Sequence, residues 1–221
     1  MTHAPPARTL QGADLRRRLR RDTEAAHDRL DRQIGRHDLT TPDGLAGFLG
    51  AQLRGLAVLA PHAPAELGPM MADIRARAGA DLRRLGRPVP DARTPDPGAP
   101  DAGPPDAGAP AVREPGRAGR DPVAAAYLLL GAQLGTQVLA RRWGAATDPS
   151  VRAAGTYFGR PPETALWRAF CDRTAAMPAA GAAADRIVAD ATALFDAFLH
   201  AARGDETEPA GPPDQITIER R

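Results

Sequence analysis

Residues 15–34 read Leu15-Arg16-Arg17-Arg18-Leu19-Arg20-Arg21-Asp22-Thr23-Glu24-Ala25-Ala26-His27-Asp28-Arg29-Leu30-Asp31-Arg32-Gln33-Ile34. Leu15, Leu19, Ala26, Leu30 and Ile34 recur at the spacing of one helical face, and the arginines at 16, 17, 18, 20 and 21 fall mostly on the other sides. That pattern predicts one amphipathic helix from about Ala13 to Gly35. His27 lies on its apolar side and is expected to point inward. Residues four apart stack on a helix, so Thr23 and Asp31 flank the imidazole a turn before and a turn after, where either can order the ring. Periodicity alone leaves His27 two readings, a hydrogen-bonded core residue or a metal ligand.

The same helical signal recurs along the chain, and alternating strand patterns are confined to a short Ile216-Thr217-Ile218 at the tail, so the fold class expected is all-α. Thr41-Pro42-Asp43 supplies an N-cap followed by proline at the first helical position, opening a helix that Pro61 ends. A third helix is expected over 65–85. Asp121-Pro122 opens another that runs to about Trp143, Asp148-Pro149 a short one, and two more are expected from Pro162 to Met177 and from Ala180 to Ala202. Between Gly86 and Arg120 the composition changes to Pro-Asp-Ala-Gly repeats that could not repay the entropy of ordering. The organisation expected is a flexible N-terminus over 1–12, a single domain over 13–203 interrupted by a low-complexity insertion at 87–120, and a flexible tail over 204–221.

Composition narrows the function. All 29 basic residues are arginine, yet the formal charge is only +2 and aromatic residues make up 4% of the chain, too few for a base-stacking surface. Nucleic acid is not an expected partner. Cys171 is the only cysteine, which excludes an internal disulfide and any Cys-x-x-Cys site and fits a reducing cytoplasm. No apolar run is expected to reach the roughly 20 residues that a membrane span needs.

A second segment asks for an explanation. Tyr127-Leu128-Leu129-Leu130-Gly131-Ala132-Gln133-Leu134-Gly135-Thr136-Gln137-Val138-Leu139 places two glycines four apart on one helix face. Each costs the helix about 1 kcal/mol relative to alanine. Close packing of another helix would account for them, and so would a flat ligand laid against bare backbone.

The Leu19–Asp31 string resembles the first helix of heme oxygenases, which reads Leu-Arg-x-x-Thr-x-x-x-His with an acidic residue four positions on. The Tyr127–Leu139 string resembles the distal helix of the same family, especially its bacterial, phytochrome-associated branch. A looser match, Thr156-Tyr157-Phe158-Gly159 through Leu166-Trp167-Arg168-Ala169-Phe170, is similar to the penultimate helix. The resemblance implies a helical bundle clasping heme between a proximal and a distal helix, with heme both cofactor and substrate. It implies that His27 ligates heme iron, that Thr23 and Asp31 support the proximal side, that Gly131, Ala132 and Gly135 contact the macrocycle, and that Arg20, Tyr127 and Arg168 are candidates for the propionates. The activity implied is oxidative opening of heme to biliverdin, iron and carbon monoxide. Electrons would come from a separate donor such as a ferredoxin or a reductase, with a functional link to a bilin-binding phytochrome. The chain departs from the family at the distal motif, where Ala132 stands in place of the usual Asp or Ser, Leu130 in place of a Glu common in the bacterial branch, and Thr136 in place of a glycine. Gln133 and Thr136 offer polar atoms nearby but out of the expected place. The alternative implied by these departures is a noncatalytic heme-binding or regulatory module of the same fold.

Overall fold

The arginine-rich segment folds as two helices. The computed structural model describes residues 14–90 and 119–204. In it α1 spans Leu15–Asp22 and α2 spans Glu24–Ile34, joined at Thr23. This corrects the expectation of one unbroken helix, and the cause is Thr23 itself. Its hydroxyl donates to the Leu19 carbonyl at 2.7 Å, and its own N–H reaches the same carbonyl at 3.0 Å. Doubling up on one acceptor in this way bends a helix. Asp14 caps the start of α1 by accepting from Arg17 N–H at 2.8 Å.

The later boundaries follow local chemistry. α3 (Pro42–Leu59) begins where the Thr41 side chain accepts from Gly44 N–H at 3.2 Å, and Pro61 stops it in a 3-10 turn at Ala60–His62. The helix expected over 65–85 starts as a 3-10 turn at Ala65–Leu67 and becomes α4 (Gly68–Arg84). Capped by the Asp121 side chain, α5 runs over Pro122–Trp143 without interruption through both glycines; α6 (Pro149–Ala153) is capped by Asp148. α7 (Thr164–Ala175) and α8 (Ala182–Arg203) complete the bundle. Among the described residues there is no strand, only an isolated bridge between Asp14 and Pro178. The all-α class therefore holds.

The hub of the bundle is α8, which packs against α3, α2, α5 and α1. Leu194 and Ala191 on α8, Phe48 and Leu49 on α3, and Leu15 and Leu19 on α1 are all fully buried in one apolar core. Polar ties fix the same contacts. Arg54 of α3 donates to the Ala201 and Ala202 carbonyls at 2.7 and 3.0 Å, adding to the Gly204 N–H that Ala201 accepts at the end of α8. Arg29 of α2 pairs with Asp196 of α8 at 2.6 Å.

Two features correct the sequence reading. Pro42–His62 and Pro122–Trp143, with mean hydropathies of 1.2 and 1.5, are by length and composition apolar enough to cross a membrane, contrary to the expectation that no stretch approaches that length. In α3 the apolar residues are core, turned toward α4 and α8. The boundaries of the insertion also move. Arg87 pairs with Asp43, Val89 packs on the core beside Gly79, and Arg120 N–H donates to His62 Nδ1 at 3.3 Å, so residues 87–90 and 119–120 belong to the fold. The rest of the expected insertion and both expected flexible ends, apart from Gly204, lie outside the described residues.

Candidate functional site

Because α2 and α5 each pack on α8, they face one another across a cavity of about 380 Å³. Ligand pockets fall within roughly 300–1,000 Å³. One wall is α2, with His27, Leu30, Asp31 and Ile34. The other is α5, with Tyr127, Leu128, Gly131, Ala132, Gly135 and Thr136. Phe195 and Phe198 of α8 form the base, Gln52 and Tyr157 approach from α3 and the α6–α7 connection, and Trp167 stands at the edge.

His27 is at the boundary between this cavity and a second depression, lined by Arg16, Arg17, Arg20, Glu24, Tyr127 and Trp167. Its side chain is 54% exposed, which corrects the expectation of a buried imidazole: it leaves the helix on the apolar side but looks into open space. The ring stands edge-on to Phe195 with centroids 5.7 Å apart. Nδ1 lies 3.2 Å from the Asp31 carboxylate, which leaves Nε2 as the nitrogen available to a ligand. A carboxylate on the far nitrogen fixes ring orientation and tautomer and raises ligand basicity, the usual arrangement behind a metal-bound histidine. Among the described residues no group of three or more His, Cys, Asp or Glu side chains could hold a metal ion. A metal at His27 would have to bring most of its ligands with it, as a planar chelate does.

Thr23 serves differently from the sequence expectation. It is buried at the α1–α2 junction with its hydroxyl on the Leu19 carbonyl rather than on the imidazole. Burial pushes the Tyr127 pKa up, against the opposite pull of the Thr23 hydroxyl and of the Arg20 and Arg16 charges. Those charges therefore lie close to the phenol at the cavity mouth.

Close packing does not account for the glycines of α5. A Cβ built at Gly131 or Gly135 meets nothing within 4 Å. Contrast Gly55 of α3, where the same atom would come within 2.2 Å of the Phe198 ring. Gly55 is a close-packing glycine; Gly131 and Gly135 are not, and the bare backbone they expose faces the cavity. Ala132 is exposed beside them, its carbonyl accepting the Thr136 hydroxyl at 3.1 Å.

The basic residues divide. Arg20 and Tyr127 are brought together at the mouth, whereas Arg168 is exposed on α7 and lines neither depression; its neighbour Trp167 lines both. Arg16, which the motif match passed over, carries a buried Nε without a hydrogen-bond partner at that mouth. Gln133 is engaged elsewhere. It accepts from the buried Arg160 at 3.1 Å, whose other nitrogens hold Asp73 at 2.9 Å and Glu163 at 2.6 Å. Arg77 first, then Arg160, keeps the Asp73 carboxyl below the usual carboxylate range.

Sequence reasoning also missed Gln52 and Tyr157. The Tyr157 phenol lies beside Thr136 in the cavity lining and reaches Gln52 Oε1 at 3.4 Å. Its position is set from behind by Asp81, fully buried, which accepts Tyr157 N–H at 2.8 Å and the Thr156 hydroxyl at 2.6 Å and pairs with Arg84 at 2.8 Å. A buried aspartate inside the apolar run of α4 was the available signal. Nothing in its spacing named its partner 75 residues away.

Comparison of the chain with protein-family models, curated proteins and solved structures returned no match.

Proposed function

We propose that this chain binds heme, with His27 as the protein ligand to iron, and cleaves it to biliverdin, iron and carbon monoxide with electrons from a separate donor. The bundle is, on this reading, heme oxygenase-like. The observation that carries the proposal is the slot itself: an imidazole backed by a carboxylate on one wall, and two glycines with open space before them on the other. A flat, apolar chelate with anionic groups at one edge matches a mainly apolar slot whose mouth carries Arg16, Arg17 and Arg20.

Heme, when bound, supplies both the iron at which oxygen reacts and the porphyrin carbon that is oxidised. The residues supply the rest. Asp31 engages the His27 Nδ1, so Nε2 is the nitrogen presented to the slot. Leu30, Ile34, Leu128 and Phe195 exclude bulk water from the slot. Arg16 and Arg20 offer guanidinium groups to carboxylates at the mouth, where the Arg16 Nε lacks any other partner. Arg17, more exposed on the same face and paired with Asp14 at 3.5 Å, joins Arg16 and Arg20 in a mouth that Glu24 and Asp28 also line.

Heme binding without turnover is favoured by one specific observation, Ala132, which puts no polar side chain beside Gly131. Hemin titration separates a heme protein from an empty bundle. Adding a reductase system and oxygen then separates the two heme readings: biliverdin absorbance establishes turnover, and a histidine-type hemin spectrum with no biliverdin leaves the binding module.

A further inference from the structure

The α5 side of the cavity is not uniformly apolar. Thr136, Tyr157 and Gln52 come together there from three different elements and form the polar group that Ala132 does not provide. Tyr157 and the Gln52 amide both have protons to give, and Tyr157 is the one carried on a rigid ring. The Thr136 hydroxyl already donates to the Ala132 carbonyl at 3.1 Å, and the Gln52 oxygen is a distant acceptor for the phenol at 3.4 Å. The ring is held on three sides: Phe48 and Phe158 stand edge-on at 5.6 and 5.3 Å, and Asp81 anchors the backbone N–H. Burial pushes its pKa up to about 12, so the phenol remains a donor at any physiological pH. A fixed donor in a site shielded from water is worth more than the same group in solution.

We infer that the Tyr157 hydroxyl, set beside Thr136 and Gln52, is the hydrogen-bond donor for a small polar ligand held on the α5 side of the cavity. This rests on the heme reading and deepens it. Tyr157 then does from the α6–α7 connection what a polar side chain at position 132 would do from α5.

The test uses the full-length chain loaded with hemin and fluoride, a small anion that accepts hydrogen bonds and is followed through the hemin spectrum. Tyr157→Phe keeps the ring and removes the donor; it should weaken fluoride binding roughly tenfold, the scale of one lost hydrogen bond to a charged acceptor, while the hemin dissociation constant and the helical circular dichroism hold. Thr136→Val, which removes the hydroxyl beside the phenol and keeps the phenol itself, should weaken fluoride by less. Equal fluoride affinity in wild type and Tyr157→Phe overturns the inference and leaves the heme reading intact. Failure of the wild-type chain to bind hemin overturns both. A Tyr157→Phe protein that loses its helical signal hands the decision to Thr136→Val, for which an unchanged fluoride affinity overturns the inference.

Discussion

At the scale of single residues, His27 and Tyr157 make opposite demands on their surroundings. On the heme reading His27 needs an outward-facing Nε2, and the Asp31 contact on Nδ1 turns the ring that way. His27→Ala should abolish the histidine-type hemin spectrum, with exogenous imidazole restoring it; an unchanged Soret band would assign the ligand elsewhere. Asp31→Ala should weaken hemin binding about 10–100-fold, the usual consequence of removing the carboxylate behind a ligating histidine. Tyr157 instead must keep its proton. The folded phenol holds it to about 12, whereas the unfolded chain releases it near 10, so the folded state binds more protons across that interval. Its contribution to stability is whole below pH 10 and is lost as pH rises from 10 towards 12. Phenolate absorbance from Tyr157 should therefore accompany loss of helicity. Both tyrosines ionising near pH 10 in a fully helical protein would refute this.

At the scale of elements, α3 and α5 use glycine for contrary ends. Gly55 of α3 exists because Phe198 of α8 fills the space a side chain would take. Gly55→Ala should destabilise the protein by about 2 kcal/mol, in the range for overpacking a core, and should displace a ring that forms the cavity base. On α5 the expected sign reverses. Gly135→Ala has no neighbour to strike and should stabilise the helix by about 0.5–1 kcal/mol. Gly135→Leu should likewise fold, while lowering hemin affinity at least tenfold because its side chain enters the slot. Thermal melts paired with hemin titrations measure both quantities. A Gly135→Leu protein with normal hemin affinity would show that no ligand lies against α5.

At the scale of the whole molecule, the cavity exists because α8 holds α2 and α5 apart on a shared support, and the two halves of the chain meet on that support. Polar and core contacts close the chain on either side of residues 91–118 through Val89, Arg87 with Asp43, and Arg120 with His62. Replacing 91–118 with a Gly/Ser linker should preserve helicity and hemin binding, since their Pro, Gly and Asp repeats offer little apolar surface to bury. Replacing 87–120 removes those closing contacts and should lower the melting temperature. Circular dichroism distinguishes them, and equal melting temperatures would assign the closing contacts no weight.

Helix identity and most boundaries were legible from the sequence because caps, proline positions and apolar periodicity act over a few residues, whereas the facing of the His27 and glycine segments was an expectation carried by the family resemblance. The break at Thr23 is equally local, yet it was hidden: a threonine within a helical pattern either faces solvent or bonds back to the preceding turn, and only packing selects between these. The tertiary structure alone decided that Gly131 and Gly135 border open space, that Trp167 rather than Arg168 reaches the mouth, and that Arg160 claims Gln133. It alone joined Asp81 to Thr156 and Tyr157, and Tyr157 to Gln52, because these bonds link residues distant in sequence and their geometry is fixed by how the helices pack on α8. The walls of the slot were written in local pattern; which polar groups face into it followed from long-range packing, which no spacing along the chain encodes.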